Sequence, residues 1–171
     1  MIGVELISVE ISQFVFTDAG YSAFEQSDLG GITGARMNVI ANGTTKTVHV
    51  CLGVSYAKPR VCDLRFKNIT ETNSGVRVSI FSVVSIPVFT IESEDCLYLN
   101  IYKPKNRSGL AVMIHGGGLT SGSADKFNIK ILASAFGNAV VVTFNYRVGI
   151  FGFLSNMDEH AMGNNGLWDR R

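Results

Sequence analysis

The sequence predicts an α/β protein on a mixed, mostly parallel central sheet, with an antiparallel hairpin on its N-terminal side. Three observations carry that expectation. Asn42-Gly43 stands between two β-rich runs. Two later runs, Leu110–Ile114 and Ala139–Phe144, have the unbroken apolar character of strands buried on both faces. Between them lie three consecutive glycines and then a stretch with helical spacing. Strand, turn, helix, strand is the order of a parallel α/β unit.

Taken in order, Gly30-Gly31 and Gly34 read as turns that open the β region. Met37-Asn-Val-Ile-Ala and Thr45-Lys-Thr-Val-His-Val-Cys-Leu then flank Asn42-Gly43, the strongest short hairpin signal. Lys58 to Gly75 is polar and loop-like. Val76–Ile91 is apolar but broken by Arg77, three serines and Pro87, and reads as strand or loop. Cys96–Tyr102 is a strand by its β-branched and aromatic content, ended by Lys103-Pro104. From Asp125 to Gly137 the apolar residues Ile129, Leu132, Ala133 and Phe136 fall at helical spacing, closed by a glycine stop.

With 46% hydrophobic and 17% charged residues, the 171-residue chain has the composition of a globular core. Fifteen basic and 14 acidic residues leave a net charge of +1 without a cluster of one sign, which argues against nucleic acid or an anionic membrane as partner. No apolar run reaches the ~18 residues a spanning helix needs. Glu5 and Glu10 interrupt the N-terminal apolar stretch, and no Lys or Arg precedes Arg36, so it does not read as a secretory signal. Sequons at Asn42, Asn68 and Asn106 nevertheless favour a secreted or cell-surface parent. Cys51, Cys62 and Cys96 are odd in number, so at least one is unpaired within the chain.

His115-Gly116-Gly117-Gly118 carries the chemistry. Acyl transfer passes through a tetrahedral intermediate whose oxygen becomes negative, and backbone N–H groups aimed at that oxygen stabilise it. Glycines after a strand suit this, because without Cβ they take positive φ and admit close approach to the backbone. His-Gly-Gly-Gly between an apolar strand and a helix is the oxyanion loop of esterases and lipases. A phosphate-cradling loop fails for want of a following Gly-Lys-Ser/Thr. Neither a metal nor a cofactor is called for.

Several segments together resemble the type-B carboxylesterase and cholinesterase family of α/β-hydrolases. Ser93-Glu-Asp-Cys-Leu-Tyr-Leu-Asn-Ile-Tyr102 is similar to a family signature. Val112-Met-Ile-His-Gly-Gly-Gly-Leu, Asn145-Tyr-Arg-Val-Gly-Ile-Phe-Gly-Phe-Leu-Ser155 and Gly163-Asn-Asn-Gly-Leu-Trp-Asp169 resemble its next stretches. Leu52–Pro59 and Arg65-Phe66 match more loosely. The resemblance divides the chain into a poorly matched segment, 1–28, and a partial esterase domain, 29–171, divergent over 67–90. It implies that Gly117 and Gly118 supply two oxyanion donors and Gly116 shapes the turn. It also implies ion pairs Arg65–Glu94 and Arg147–Asp169, where the residues alone allow solvated surface charges. Cys96 corresponds to a disulfide cysteine whose family partner is missing from 67–90; a Cys62–Cys96 bridge is the alternative within this chain.

The family's Gly-x-Ser-x-Gly nucleophile elbow has no counterpart here, since no serine has glycine at both −2 and +2. Gly53-Val-Ser55-Tyr-Ala57 is the nearest imitation and aligns with a loop. The resemblance places the nucleophile, acid and histidine of the triad in a region after Arg171, so these residues are expected to be the N-terminal part of a longer esterase acting on small carboxylic esters. His49 and His160 have no catalytic counterpart. A neuroligin-like adhesion protein, which keeps the fold and loses catalysis, is the competing expectation; the retained Gly118 favours the enzyme.

Overall fold

The structure, a computed structural model, describes residues 15–27, 30–41, 43–68, 93–124, 136–157 and 163–170. Six strands form one sheet: β1 (Val15–Ser27), β2 (Gly30–Ala41), β3 (Thr44–Ser55), β4 (Tyr98–Pro104), β5 (Gly109–Ile114) and β6 (Ala139–Phe144). Their order across the sheet is β1-β2-β3-β4-β6-β5. The described residues after β6 include the short helices α1 (Gly149–Phe153) and α2 (Asn165–Trp168), and a 3-10 turn spans Cys62–Leu64. None of the described helices is long and apolar enough to cross a membrane.

The hairpin forms where Asn-Gly places it. β2 and β3 pair antiparallel out to Ala41 opposite Thr44, and Gly43 takes φ +73°, the left-handed conformation such a tight turn needs. Asn42 itself lies outside the described residues. Gly30, Gly31 and Gly34 do not turn the chain: they lie inside β2, paired with Ser27, Gln26 and Ser22 of β1. β1 falls where the sequence offered no strand signal, and its register against β2 shifts twice. Pro104 is the last residue of β4 rather than lying beyond its end, because a missing N–H is tolerated at a strand terminus.

The sheet is mixed. Its parallel part among the described strands is the β5–β6 pair, and the other pairings are antiparallel. The core follows from register. Ala35 faces Val50, Val50 faces Tyr102, and Tyr102 faces Val141, a buried row crossing four strands. Val39 and Val48 join it, with Met37 and Leu52 packed against them. Each fully buried valine here contributes roughly 1.5–3 kcal/mol by leaving water.

The row ends at β5, and there the expected burial is reversed. Leu110, Val112 and Ile114 are 68%, 55% and 53% exposed. Among the described strands β5 pairs only with β6, so composition here reports an apolar strand but not whether a neighbour covers it. β6 is likewise not fully buried; only Val141 and Thr143 are, on one face. Of the helix expected over Asp125–Gly137, residues 125–135 lie outside the described residues. Phe136 and Gly137 are helical, and the left-handed stop is Asn138, at φ +51°, not Gly137. Val76–Ile91 and His160 also lie outside the described residues.

Between Cys51 and Val54 of β3, two residues oppose the single Asn100 of β4. Gly53 forms this bulge at φ +68°, and its freed N–H donates to Asn100 Oδ1 at 3.0 Å. Asn100 in turn donates to Thr143 Oγ1 at 3.3 Å, and that hydroxyl donates to the carbonyl of Ala124 at 3.4 Å. The bulge thus connects across the sheet to the loop behind the glycine turn.

Candidate active site

The glycine turn begins where β5 runs out at Ile114. The His115 ring lies on Tyr146, centroids 4.3 Å apart and planes 11° apart, and the Tyr146 hydroxyl donates to the His115 carbonyl at 2.7 Å. His115 Nδ1 is 3.1 Å from the Gly116 carbonyl, so in that contact Nδ1 carries the proton. The remaining ring nitrogen, Nε2, is buried and has no hydrogen-bond partner among the described residues.

The turn then reverses on Gly117. Its carbonyl accepts the N–H groups of Thr120 and Ser121 at 3.2 and 3.1 Å and the Thr120 hydroxyl at 3.1 Å. In a trans peptide the next N–H points opposite to the carbonyl, so these bonds turn the Gly118 N–H away from the loop. Gly117 is at φ +139° and Gly118 at φ +62°. A Cβ on Gly117 would fall 1.9 Å from the Ser121 carbonyl oxygen, so no other residue fits. Leu119 is also left-handed, at φ +64°, held by a 2.7 Å hydrogen bond from the Gly149 N–H to its carbonyl.

None of the N–H groups of Gly116, Gly117 and Gly118 is used by an acceptor among the described residues. A cavity of about 420 Å³ lies against the turn, walled in part by Ile114, His115, Gly116, Gly117, Ser121 and Thr143. Gly118 is not part of that wall. The volume is within the usual range for small-ligand pockets, and among the described residues the wall holds no carboxylate or ammonium group. It can offer an electron-rich oxygen neutral N–H donors from a fixed backbone. No group of three or more metal-ligating side chains occurs among the described residues.

Behind the turn, the Arg147 guanidinium grips Asp169 through two bonds, Nη2–Oδ1 at 2.7 Å and Nε–Oδ2 at 2.8 Å. The Arg147 backbone N–H also donates to Oδ2, at 2.9 Å. Nη1 reaches the Lys67 carbonyl at 3.0 Å, and Asn165 Nδ2 the Phe66 carbonyl at 3.1 Å. The side chains are 3% and 0% exposed, so this pair is buried. Arg65 holds Glu94 equally squarely, Nε–Oε2 2.7 Å and Nη2–Oε1 2.5 Å, but in the open, at 44% and 26% exposure. Gly152 and Gly166 both pack on the Arg147 carbonyl, where a Cβ would lie 2.2 and 2.3 Å from its oxygen.

Cys51, Cys62 and Cys96 are all free thiols, so the Cys62–Cys96 bridge does not form. Burial pushes the Cys51 thiol up to about 11; burial first, then the Asp169 charge, does the same for Cys96. Almost no thiolate exists at pH 8 at either position. An alkylating reagent at pH 8 is therefore expected to label only the exposed Cys62 in the folded chain. Peptide mass spectrometry showing rapid labelling of Cys96 would contradict this. His49 lies in β3 opposite Arg36 and Lys103, and burial, then those two charges, holds its imidazole below the ordinary value. Ser55 spends its hydroxyl on the Ala57 carbonyl, at 3.0 Å. Asn68 and Asn106 are exposed.

Sequence reasoning singled out the glycines and the ion-pair residues but missed Tyr146, Asn100, Asn145, Gly152, Gly166 and Arg170. Of these only Gly152 carries a sequence signal, as a break inside the apolar stretch Ile150–Leu154. Asn145 Oδ1 accepts the Ala124 N–H at 2.7 Å, and the Asn145 carbonyl accepts the Tyr56 hydroxyl at 2.7 Å.

The model of the carboxylesterase family matches residues 23–171. Among curated proteins, the chain is 38% identical to the cocaine esterase of Oryctolagus cuniculus, over 87% of this chain and 32% of that protein. It is 40% identical to liver carboxylesterase B-1 of Rattus norvegicus, over 75% of this chain and 27% of that protein. Against the medium-chain fatty acyl-CoA hydrolase precursor of Anas platyrhynchos it is 36% identical, over 84% and 30%. The chain thus spans less than a third of the length of these curated relatives. By the family model and by these identities, the chain belongs to the carboxylesterase family.

Proposed function

We propose that this chain supplies the oxyanion-receiving turn of a serine esterase acting on small carboxylic esters. The observation that carries the reading is the Gly116–Gly118 backbone, whose three N–H groups no acceptor among the described residues takes, with Gly116 and Gly117 on the wall of a cavity that has no carboxylate or ammonium group among its described lining residues. An ester carbonyl oxygen placed there gains little as a neutral acceptor and much more as it becomes negative. Each such donor lowers the barrier by about 2.7–4 kcal/mol. The relatives named as a cocaine esterase and a fatty acyl-CoA hydrolase support an ester or thioester as the substrate class. The three sequons support a secreted or cell-surface setting.

These 171 residues contain no Gly-x-Ser-x-Gly, so the nucleophile must come from elsewhere. Expressed alone, the chain is expected to hydrolyse 4-nitrophenyl acetate no faster than buffer. The reading itself is tested by replacing the matched segment of the rabbit cocaine esterase with residues 23–171. Retained turnover of 4-nitrophenyl acetate supports an ester-hydrolysing turn. A folded chimera without turnover sinks it and favours the adhesion-type alternative.

A further inference from the structure

The direction of the Gly116 N–H is set from outside the glycine turn. It is antiparallel to the His115 carbonyl across a trans peptide, so whatever binds that carbonyl aims the N–H the opposite way. The binding group is the Tyr146 hydroxyl, at 2.7 Å. Tyr146 is buried, and its ring has two planar neighbours: the His115 imidazole at 4.3 Å and the Arg170 guanidinium carbon at 3.9 Å from its centroid. Two planar groups so close to one centroid cannot share a face without overlapping, so cation and imidazole lie on opposite faces.

Arg170 reaches this position through its neighbour. Asp169 is locked onto Arg147, and Tyr146 precedes Arg147, so two adjacent residues grip two adjacent residues. Arg170 Nε and Nη2 are buried and have no hydrogen-bond partner among the described residues. The ring is thus the contact through which the guanidinium acts, by the attraction of a cation to an aromatic face.

We infer that Arg170 is a positioning residue for the glycine turn. It presses Tyr146 against His115, keeps the phenol on the His115 carbonyl, and thereby orients the Gly116 N–H and the entry of the backbone into Gly117. The catalytic meaning of this role rests on the esterase reading; the mechanical role does not.

Backbone ¹⁵N relaxation on the full chain tests it without any ester. In the unaltered chain, the Gly116 and Gly117 amides are expected near the rigid value of about 0.85, falling below about 0.6 in Arg170→Leu and in Tyr146→Phe. Tyr146→Phe keeps the ring and removes only the hydroxyl, so it guards against a variant that fails to fold. Arg170→Lys, which keeps a cation over the ring, is expected to recover part of the order. Val48 and Val50 in β3 and the melting temperature serve as references and are expected to hold. Unchanged glycine order in Arg170→Leu, whatever Tyr146→Phe does, overturns the inference. So does a loss of order spread equally over β3, which marks a merely structural prop. Loss of esterase turnover in the chimera would bear on the esterase reading and leave this result standing.

Discussion

Asp169→Ala is expected to lower the unfolding free energy by about 3–5 kcal/mol, the cost of stranding a buried charge by removing its partner. The loss exceeds that of an ordinary ion pair because the carboxylate satisfies three donors of Arg147, two on its guanidinium and one on its backbone. A second buried guanidinium makes matters worse. Burial and the Arg147 charge push the Arg60 pKa down, and Asp169 is the group that opposes them. Without Asp169, the field that offsets the Arg147 charge at Arg60 is lost. Urea denaturation measures the effect. Arg65→Ala, which breaks an equally well-shaped but exposed pair, is the control and should cost no more than about 1 kcal/mol. Replacing Arg147 and Asp169 together by leucines should cost less than Asp169→Ala alone, since the Arg147 charge that Asp169→Ala strands is removed as well. A loss below about 1 kcal/mol for Asp169→Ala would show that the pair does not hold the fold.

Gly117→Ala should cost an active chimera about 10²–10³ in kcat, the loss seen when one oxyanion donor is removed. The methyl group meets the Ser121 carbonyl oxygen at 1.9 Å, and the backbone is at φ +139°, so the turn must open. Opening releases the Gly117 carbonyl from Thr120 and Ser121 and leaves the Gly118 N–H free to swing. Gly118→Ala differs in kind. Its new Cβ meets nothing nearer than Thr120 Oγ1 at 3.9 Å, so only the cost of a left-handed alanine applies, about 1–2 kcal/mol. The order of the two effects is the critical measurement. Steady-state kinetics with circular dichroism on both variants provides it, and full activity in Gly117→Ala would remove the turn from the mechanism.

Local signals in the sequence were strong where one or two residues dictate backbone geometry. Asn42-Gly43 marks its hairpin because a tight antiparallel turn requires left-handed residues, and the triple glycine marks its turn because Gly117 and Gly118 take positive φ and a side chain at Gly117 would strike Ser121. Burial was poorly readable at β5. Leu110–Ile114 has the composition of a strand between two neighbours, yet among the described strands the sheet gives it one. Composition registers what a strand could bury, and topology decides what covers it. β1 escaped notice for the opposite reason: Val15–Ser27 alternates too irregularly, and its two register shifts against β2 show why. Tyr146 and Arg170 could not be foreseen, because their roles exist only once residues distant in sequence stack on one ring.

The bulge at Gly53 has a consequence for folding fidelity. Two antiparallel strands can slip by two residues and still keep the same side chains inward, so hydrophobic patterning alone does not forbid that error. Here a slip would carry the left-handed Gly53 past Asn100, leave its N–H with no amide to receive it, and uncouple Asn100 from Thr143. Asn100 therefore acts as a peg that only one alignment of β3 and β4 can accept. A misaligned sheet would be detectable as a soluble, β-rich species in which Gly53 has lost its hydrogen bond.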